Sequence, residues 1–498
     1  MVNALKPTWI VATSGLLLAL QPASLSAAIE SRTNVTESHH QPSRVKRSPY
    51  SDVSRPDLSL PVQRFSVELL KAMDHRDQFI VSPLGLSIML NIMLQGAIAD
   101  REDRHGANSA VIKRSLQTVF GYDHKWDHNS IDHKWILYEY NKLISDLEDD
   151  GSKASFLNML ILQRFAESPN QVYDRKFEQS TEFYRAKLES WNWPQFNSDE
   201  DTWKGTAIDT VNKWIKQHGL SDKNKLDADT IRDGAWEDGA MALSGAAFEY
   251  RWADEQRFLV TRQGNFQAMG LTKARFFESA RGEPKQPQNH RCPQSDRCLS
   301  YYNKYLSHLD EFAALELPLN AKGYGDRRRT SLILIEPSKP ASMSSMKRLA
   351  EQLMTVYYNN CTNLQIVLDA LDCEAANFQM NVEIPKFKQE ADTSLDMKAL
   401  MTEMQMAGVF ERGNYRQMLC GVKRVNECVY LNEFRHMTMI DVGPTGINVD
   451  RDQVNFDEAV PEEPLDPSVG SNLRITYPFM YFVVRGNIPL LMGQVASE

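Results

Sequence analysis

Three histidines, His124, His128 and His133, lie close together and carry the imidazole groups that transition metals prefer. They alternate with aspartate and lysine in a polar connector, so we interpret the stretch as a solvated loop rather than as a metal site. The sequence has no nucleophile elbow, phosphate-binding loop, dinucleotide fingerprint or His-Glu-x-x-His motif. We therefore expect no enzymatic activity, no metal site and no cofactor.

A basic triplet, Arg327-Arg328-Arg329, is the second candidate for binding. Three adjacent guanidinium groups could hold a sulfated polysaccharide by electrostatic attraction. The triplet follows Gly325 and precedes a predicted strand, where a solvated loop is the ordinary interpretation. Glycan contact at this triplet stays open as the second interpretation.

Six cysteines fall into three sequence-local couples, which indicates disulfides rather than metal ligation. No Cys-x-x-Cys is present, and no histidine stands at zinc spacing beside them. Six cysteines allow fifteen pairings, so the sequence does not determine the connectivity. Local pairing is the simplest expectation, because closing a short loop costs little chain entropy. The six are Cys292, Cys298, Cys361, Cys373, Cys420 and Cys428.

The amino-terminal segment is typical of a secretory signal. Lys6 precedes an apolar run from Trp9 to Leu20, and small residues follow up to Ala28. The run is short for a membrane span, and no later stretch is apolar over eighteen residues. We place signal cleavage between Ser26 and Ala28, and we expect an extracellular protein without a membrane anchor.

A second processing signal, Arg44-Val45-Lys46-Arg47, follows in a polar stretch. Furin-like convertases read the charges of Arg44, Lys46 and Arg47, so this spacing predicts removal of a pro-segment. The domain prediction is a signal peptide over 1–28, a pro-segment over 29–47, a linker over 48–59 and one folded domain over 60–498. Two sequons, at Asn34 and Asn360, are available for glycosylation in the same compartment.

Composition places the body of the chain among ordinary globular proteins. Of the 498 residues, 42% are apolar and 24% are charged, which is enough apolar material for a sizeable core. The net charge of -9 argues against nucleic-acid binding. We expect a monomer that binds neither nucleic acid nor a membrane.

The apolar spacing predicts mostly helices in the first half and mostly strands in the second, which indicates an α+β fold. Ser82-Pro83 supplies the N-cap and first residue of a helix that is apolar on nearly all faces and must be buried. One predicted helix has its periodic apolar residues from Leu60 to Met73, and the second opens at Ser82-Pro83 and includes Ile88–Leu94. The other predicted helices are Ala110–Phe120, Ile131–Leu147, Tyr173–Leu188 and Ala207–His218. The predicted strands are Ser155–Phe165, Ser331–Glu336, Phe378–Phe387, Val429–Val442, Tyr477–Arg485 and Leu490–Val495.

Five motifs together resemble the serpin family. They occur in the family's order over about 430 residues, which makes the resemblance specific although no single motif is. The motifs are Phe79–Ile88 with Gly96-Ala97; Val211–Ile215; Leu315–Pro318; Ile384–Phe387; and Tyr477-Pro478-Phe479 with Arg485 and Leu491–Val495. The resemblance implies a serpin fold of about nine helices around three β-sheets, with an exposed reactive-centre loop.

One strand departs from the family pattern. Where serpins usually have Asn-Ala-x-x-Phe-Lys-Gly-x-Trp, this chain has Ser244-Gly245-Ala246-Ala247-Phe248-Glu249-Tyr250-Arg251-Trp252. The aromatic positions Phe248 and Trp252 are kept, but the asparagine, lysine and glycine are replaced. These changes are compatible with the fold, but they count against the working mechanism of a typical serpin.

The resemblance implies a conformational trap for proteases, and the hinge of the loop decides whether that trap can work. In inhibitory serpins a protease cleaves the loop, and the freed segment inserts as a new central strand of the main sheet. The hinge must be small and uncharged for this insertion. The matching residues here are Gly446, Ile447, Asn448, Val449, Asp450, Arg451 and Asp452, with Pro444 before them.

Alternation along an inserted strand would place Ile447, Val449, Arg451 and Gln453 on one face, which the family's geometry turns toward the core. Burying an unpaired arginine there would cost several kcal/mol. We therefore expect a binding, carrier, chaperone-like or regulatory role without protease trapping.

The loop that follows the hinge is acidic and interrupted by proline, and no basic residue lies between Gln453 and Leu473. Trypsin-like enzymes have no preferred site in it. The alternative function is inhibition of an extracellular serine protease of chymotrypsin- or elastase-like specificity, with the scissile bond near Phe456, Val460 or Leu465.

Overall fold

The computed structural model describes most of the chain after residue 57 and none of it before. The described residues are 58–74, 76–97, 114–116, 119–120, 132–149, 153–164, 173–192, 200–218, 220, 225–226, 240–253, 258–260, 266–268, 275–279, 312–320, 330–337, 342–355, 362–372, 381–391, 395–411, 415, 418, 430–449 and 472–496. Within them, Pro56–Glu498 groups as one compact unit.

Eight α-helices and one short 3₁₀ helix, Ala407–Phe410, have both ends among the described residues, and residues 114–116 and 119–120 are also helical. The α-helices are α1 (Ser59–Met73), α2 (Pro83–Ala97), α3 (Asp132–Asp149), α4 (Arg175–Glu182), α5 (Glu200–Gln217), α6 (Met343–Leu353), α7 (Asn363–Asp372) and α8 (Met397–Glu403).

Seventeen strands complete the described elements and form three sheets. The strands are β1 (Phe79–Val81), β2 (Ser155–Arg164), β3 (Lys187–Asn192), β4 (Ala240–Ala247), β5 (Tyr250–Arg251), β6 (Phe258–Val260), β7 (Phe266–Ala268), β8 (Arg275–Ser279), β9 (Phe312–Pro318), β10 (Thr330–Pro337), β11 (Asn381–Ile384), β12 (Phe387–Glu390), β13 (Leu431–Gly443), β14 (Gly446–Ile447), β15 (Asn472–Arg474), β16 (Phe479–Arg485) and β17 (Ile488–Val495).

The largest sheet runs in the order β3-β2-β4-β13-β14-β5, and β12 pairs with the other edge of β13. At its centre β4 and β13 are parallel, in a register that joins Leu431 to Ala240 and Thr438 to Ala246. No strand separates these two over that length. The site described below lies where they part.

Two further sheets surround this one. One runs β1-β17-β16-β10-β9-β8, and the other runs β15-β11-β7-β6. β15 is parallel to β11, and Arg474 of β15 pairs in register with Glu383. A 3.4 Å ion pair joins the side chains of the same two residues. β15 therefore fixes the chain directly after the 450–471 segment.

Helix α2 lies in the main core, as its sequence predicts. Every residue of α2 except Gln95 is buried, and the helix packs between β4 and β17. The Ser82 hydroxyl accepts a hydrogen bond from Gly85 N at 3.0 Å, so the N-cap is satisfied inside the protein. An apolar helix of this kind is stable only when neighbours cover all of its faces.

Helix α5 covers the opposite face of the largest sheet. Ile208, Val211, Trp214 and Ile215 pack against alternate residues of β2, β4 and β13, such as Leu157 and Met437. Side chains that alternate along the strands thus reach two separate apolar clusters. The central strands of this sheet are buried on both faces.

Three predicted elements differ from the structure. The helix predicted over Ala207–His218 begins earlier in the structure, where α5 spans Glu200–Gln217. The helix predicted over Tyr173–Leu188 ends at Glu182, because the chain turns at Arg185 with φ 55° and enters β3 at Lys187. The strand predicted over Phe378–Phe387 is two strands, β11 and β12, separated by Pro385 and Lys386. Proline has no N–H with which to continue a ladder, which accounts for the break.

Candidate functional site

The candidate site is the place where β13 and β4 separate, which we call the fork. Their pairing ends at Thr438 and Ala246, where the Thr438 hydroxyl donates a hydrogen bond of 2.7 Å to Ala246 O. Above this point β4 continues through Phe248 into β5, while β13 continues to Gly443. The fork is therefore bounded by the upper part of β13 on one side and by Phe248–Trp252 on the other.

The first hinge residues fill the fork. After β13 the chain reverses at Pro444-Thr445, and β14 runs back antiparallel to β13 with Gly443 opposite Gly446 and Val442 opposite Ile447. On its other side β14 is antiparallel to β5, with Gly446 opposite Arg251 and Ile447 opposite Tyr250. The segment is thus hydrogen-bonded within the sheet on both sides, as an inserted strand would be.

The turn is fastened by Trp252, one of the aromatic residues kept from the family pattern. Its indole Nε1 donates to Gly443 O at 2.9 Å, and its backbone N donates to Thr445 O at 3.3 Å. Pro444 has no N–H to offer and sits in the reversal, where the ladder needs none. A proline that counts against a continuous strand is therefore compatible with a turn at this position.

Gly446 is required by the close approach of β5. Its φ is +144°, and a Cβ at this position would overlap Tyr250 O and lie 2.8 Å from Arg251 Cα. Both the backbone conformation and the lack of space exclude a larger residue. Gly446 thus allows β14 to enter the fork.

Asn448 ends the inserted segment. Its backbone N donates to Asp441 O at 2.8 Å, and its Oδ1 accepts from Asp441 N at 2.6 Å. Its Nδ2 donates to Phe248 O at 2.8 Å and lies 3.4 Å from Met439 O. With φ 54°, the residue adopts the left-handed conformation that asparagine tolerates better than most residues. One side chain therefore joins both sides of the fork.

Apolar burial accompanies these hydrogen bonds. Ile447 is 1% exposed and belongs to the main core together with Val442 and Tyr250, its partners across the two ladders. Val449 is 9% exposed. Of the predicted hinge residues, Gly446, Ile447, Asn448 and Val449 lie at the fork, and Asp450, Arg451 and Asp452 lie outside the described residues.

With one exception, the remaining predicted site residues also lie outside the described part of the chain. They are the candidate scissile residues Phe456, Val460 and Leu465; the processing residues Arg44, Lys46 and Arg47; the sequons Asn34 and Asn360; the six cysteines Cys292, Cys298, Cys361, Cys373, Cys420 and Cys428; the basic triplet Arg327, Arg328 and Arg329; and the histidines His124 and His128. The third histidine of that group, His133, lies in α3 and therefore in a helix rather than in the predicted loop.

A buried histidine below the fork was missed by the sequence analysis. His436 of β13 lies opposite Ser244 of β4, and its Nε2 accepts a hydrogen bond from Ser82 N at 2.9 Å. The Ser82 hydroxyl donates to Leu490 O at 2.7 Å. Ser82 therefore links the start of α2 to β13 and to β17. The available signal was a histidine within an otherwise apolar central strand.

Burial holds His436 in its neutral form. Loss of hydration lowers the pKa of His436 from 6.5 to about 3, and a hydrogen bond with the Ser244 backbone opposes this only weakly. Since Nε2 accepts from Ser82 N, the proton of the neutral ring is on Nδ1. The ring is a structural connector, because a base with so low a pKa takes up no proton at physiological pH.

The described residues contain no cluster of three histidine, cysteine, aspartate or glutamate side chains suited to a metal ion. None of the helices found in them has the length and apolar character needed to cross a membrane. The property of the fork that bears on function is conformational: an additional strand either enters between β4 and β13 or is kept out.

Comparison with known proteins supports the resemblance to serpins. The sequence model of the serpin (serine protease inhibitor) family matches residues 295–498. A search of curated protein sequences gives no significant match.

Three solved structures share the fold at low sequence identity. Serpin48, described as a highly specific serpin of the insect Tenebrio molitor, aligns with a TM-score of 0.55 at 16% identity, covering 89% of this chain and 98% of its own. Native protease nexin-1 with heparin gives a TM-score of 0.55 at 14% identity over 89% and 99%. SRPN18 from Anopheles gambiae gives 0.52 at 14% identity over 89% and 98%. These likenesses concern the fold.

The fold predicted from the ordered motifs, with helices around three sheets, is thus confirmed. The carboxy-terminal part matches the serpin family's sequence model, and the described body has the fold of the solved serpins.

Proposed function

We propose that this protein is a secreted member of the serpin superfamily and that it binds a partner or ligand without trapping proteases. Serpins as a family are protease inhibitors rather than enzymes, and the non-inhibitory role concerns this chain alone. The observation that carries the proposal is the register at the fork, combined with the charges that follow it in the sequence.

The two ladders allow the positions of the next residues to be counted. If β14 continued downward in its present register, Arg451 would lie between Thr438 and Ala246, and Asp452 between Met437 and Gly245. All four of these neighbours are buried. Arg451 would then point toward the main core and Asp452 toward the cluster beneath α5, since successive side chains face opposite sides.

Insertion would therefore bury charges of opposite sign on opposite faces of the sheet, where they cannot pair with each other. An unpaired buried charge costs several kcal/mol even after local relaxation. Inhibitory loops need a segment that enters the sheet readily. In this chain the charges of Arg451 and Asp452 oppose insertion at the point where it would begin to separate β4 from β13.

The trapping activity can be tested directly. Incubation with trypsin-, chymotrypsin- and elastase-like proteases is expected to give cleavage in the 450–471 segment and no covalent complex that survives SDS. An established inhibitory serpin, incubated in parallel with each enzyme, controls for protease activity. An SDS-stable complex at near-unit stoichiometry with a chymotrypsin- or elastase-like enzyme would instead establish the inhibitory alternative, with Phe456, Val460 or Leu465 at the scissile bond.

Secretion and processing form a separate part of the proposal. We expect expression in cells with a secretory pathway to release a protein whose first residue is Ser48, because a convertase cuts after Arg47. Replacing Lys46 and Arg47 with alanine should retain the 29–47 segment. Amino-terminal sequencing and intact mass measure both outcomes. Retention of the chain inside the cell, or an unprocessed Arg44–Arg47 cluster in the secreted protein, would contradict it.

Glycosylation follows from the same processing. Removal of the pro-segment also removes Asn34, so any mass lost on deglycosylation of the mature protein should depend on Asn360. The carrier, chaperone-like or regulatory role requires an extracellular partner, and the Arg327–Arg329 triplet is the candidate for glycan contact.

A further inference from the structure

Asn448 occupies a position at which the hydrogen-bonding requirements of a longer inserted strand can be stated residue by residue. In antiparallel ladders, directly opposed residues exchange two hydrogen bonds at every second pair. Asn448 N donates to Asp441 O, which makes residues 448 and 441 such a pair on the β13 side. Trp252 N donates to Thr445 O, so on the β5 side the corresponding pairs are 252 with 445, 250 with 447 and 248 with 449.

A strand that continued past Ile447 would therefore need two specific hydrogen bonds from the next peptide group. Asp441 N would donate to the backbone carbonyl of residue 448. The backbone N–H of residue 449 would donate to Phe248 O. These two groups belong to one peptide unit, the one that joins residues 448 and 449.

The side-chain amide of Asn448 provides both of these hydrogen bonds. Oδ1 accepts from Asp441 N at 2.6 Å, in place of the backbone carbonyl. Nδ2 donates to Phe248 O at 2.8 Å, in place of the next backbone N–H. A carboxamide has the same planar C=O and N–H groups as a peptide bond, so the substitution satisfies both sides of the fork.

The main chain meanwhile leaves the ladder. At φ 54° the backbone of Asn448 turns out of the extended conformation, which is a conformation that few residues other than glycine and asparagine adopt. The side chain of Asn448 stays in the sheet, although β14 ends at Ile447.

We propose that Asn448 is a stop for the reactive loop: its side-chain amide takes the place of the 448–449 peptide group and limits the inserted segment to its first residues. This inference deepens the proposed non-inhibitory function and rests on its assignment of the loop. It adds a barrier that is independent of charge, because the stop acts before Asp450, Arg451 and Asp452 would enter the sheet.

Four proteins separate the stop from the charges: the wild type, Asn448→Ala, a charge-free variant with alanine at positions 450–452, and the combination of both. Each is cut in the acidic part of the loop with a glutamate-specific protease, whose sites there are Glu458 and Glu462. The melting temperatures before and after cleavage are then compared. Insertion of the cut segment as a full strand should raise the melting temperature by about 10 °C or more.

The expected result is a rise in the combined variant and none in the wild type or in the charge-free variant. A rise in Asn448→Ala alone would support the stop and overturn the charge barrier. A rise in the charge-free variant with Asn448 intact would overturn the stop and leave the charge barrier standing. A rise in the wild type would overturn both the stop and the non-inhibitory function, and no rise in any protein would overturn the stop.

A second measurement does not depend on insertion. Asn448→Asp keeps an acceptor for Asp441 N but loses the donor to Phe248 O, whereas Asn448→Gly keeps the positive φ accessible and loses both groups. Hydrogen exchange at the Asp441 amide should accelerate by about tenfold or more in the glycine and alanine variants, and it should stay slow in the aspartate variant. Unchanged protection of Asp441 in Asn448→Gly would overturn the proposal.

Discussion

Lowering the pH from 7 to 3 is expected to reduce the free energy of unfolding by about 4 kcal/mol through His436 alone. An unfolded histidine gains a proton below its ordinary pKa of 6.5, whereas the buried ring stays neutral down to about 3. Between pH 6.5 and about pH 3 the histidine is protonated in the unfolded state but not in the folded state. Stability from His436 is therefore complete above pH 6.5 and is lost as the pH falls, by about a factor of ten in the folding equilibrium constant for each pH unit.

The cause is the surroundings of the ring. Ser82 N donates to Nε2, and Ser244 of β4, which pairs with His436, contributes a backbone interaction with the imidazole. Both contacts are with neutral groups, which cannot stabilise a positive charge as a carboxylate would. Protonation would also break the Ser82 contact, since a protonated Nε2 can no longer accept a hydrogen bond.

His436→Gln is the matched variant, because its amide oxygen can still accept from Ser82 N but does not titrate. Denaturant unfolding of both proteins at several pH values isolates the contribution of His436 from that of the carboxylates. We expect the wild type to be more stable at pH 7 and the difference to shrink steadily below pH 6.5. A difference that stays constant or grows on acidification would show that the folded ring is charged.

NMR gives an independent reading of the same group. The chain has eleven histidines, and the signal missing from His436→Gln identifies the one of interest. That signal should not shift between pH 7 and pH 5, whereas an exposed histidine titrates over this range.

Local sequence patterns predicted the elements of this fold better than they predicted its site. α2 was predicted from its cap at Ser82-Pro83 and its apolar faces, and the structure confirms both features. Signals of this kind lie within a few residues of each other. The end of the helix at Glu182 was not anticipated, because the turn at Arg185 depends on contacts of Arg185 with α3 residues such as Asn141 and Ser145.

The fork depends on residues that are far apart in the chain. Asn448 bonds to Phe248, which is 200 residues away, and His436 bonds to Ser82, which is 354 residues away. Alternation counted along the sequence treated Asn448 as an ordinary strand residue, whereas the structure ends β14 at Ile447. Only the two ladders together reveal that the side chain of Asn448 stands where a peptide group would be.

Replacing Gly446 with alanine is expected to expel β14 from the fork and to lower the free energy of unfolding by about 3 kcal/mol. Two independent effects add. The backbone is held at φ +144°, a region that residues with a Cβ rarely adopt, and the new methyl group would overlap Tyr250 O. β5 is fixed to β14 along its edge, so neither strand can move aside without breaking the ladder between them.

Gly443, the last residue of β13, offers a matched control. A Cβ at Gly443 would meet no atom within 4 Å, and its φ is not in the positive region. Gly443→Ala should therefore be neutral or slightly stabilising, because alanine has less conformational freedom to lose on folding. Denaturant unfolding of the two variants compares the same chemical change with and without the steric conflict.

The consequences should extend from Gly446 to the rest of the hinge. Expulsion of β14 exposes Ile447, which is 1% exposed in the closed arrangement, and removes Asn448 from Asp441 and Phe248. Hydrogen exchange should then accelerate at residues 447–448 and at Asp441 in Gly446→Ala but not in Gly443→Ala. Equal stability and equal protection in the two variants would contradict the close approach of β5. The roles of Gly446 and Asn448 would then have to be tested separately, because the stop at Asn448 requires β14 to be in place.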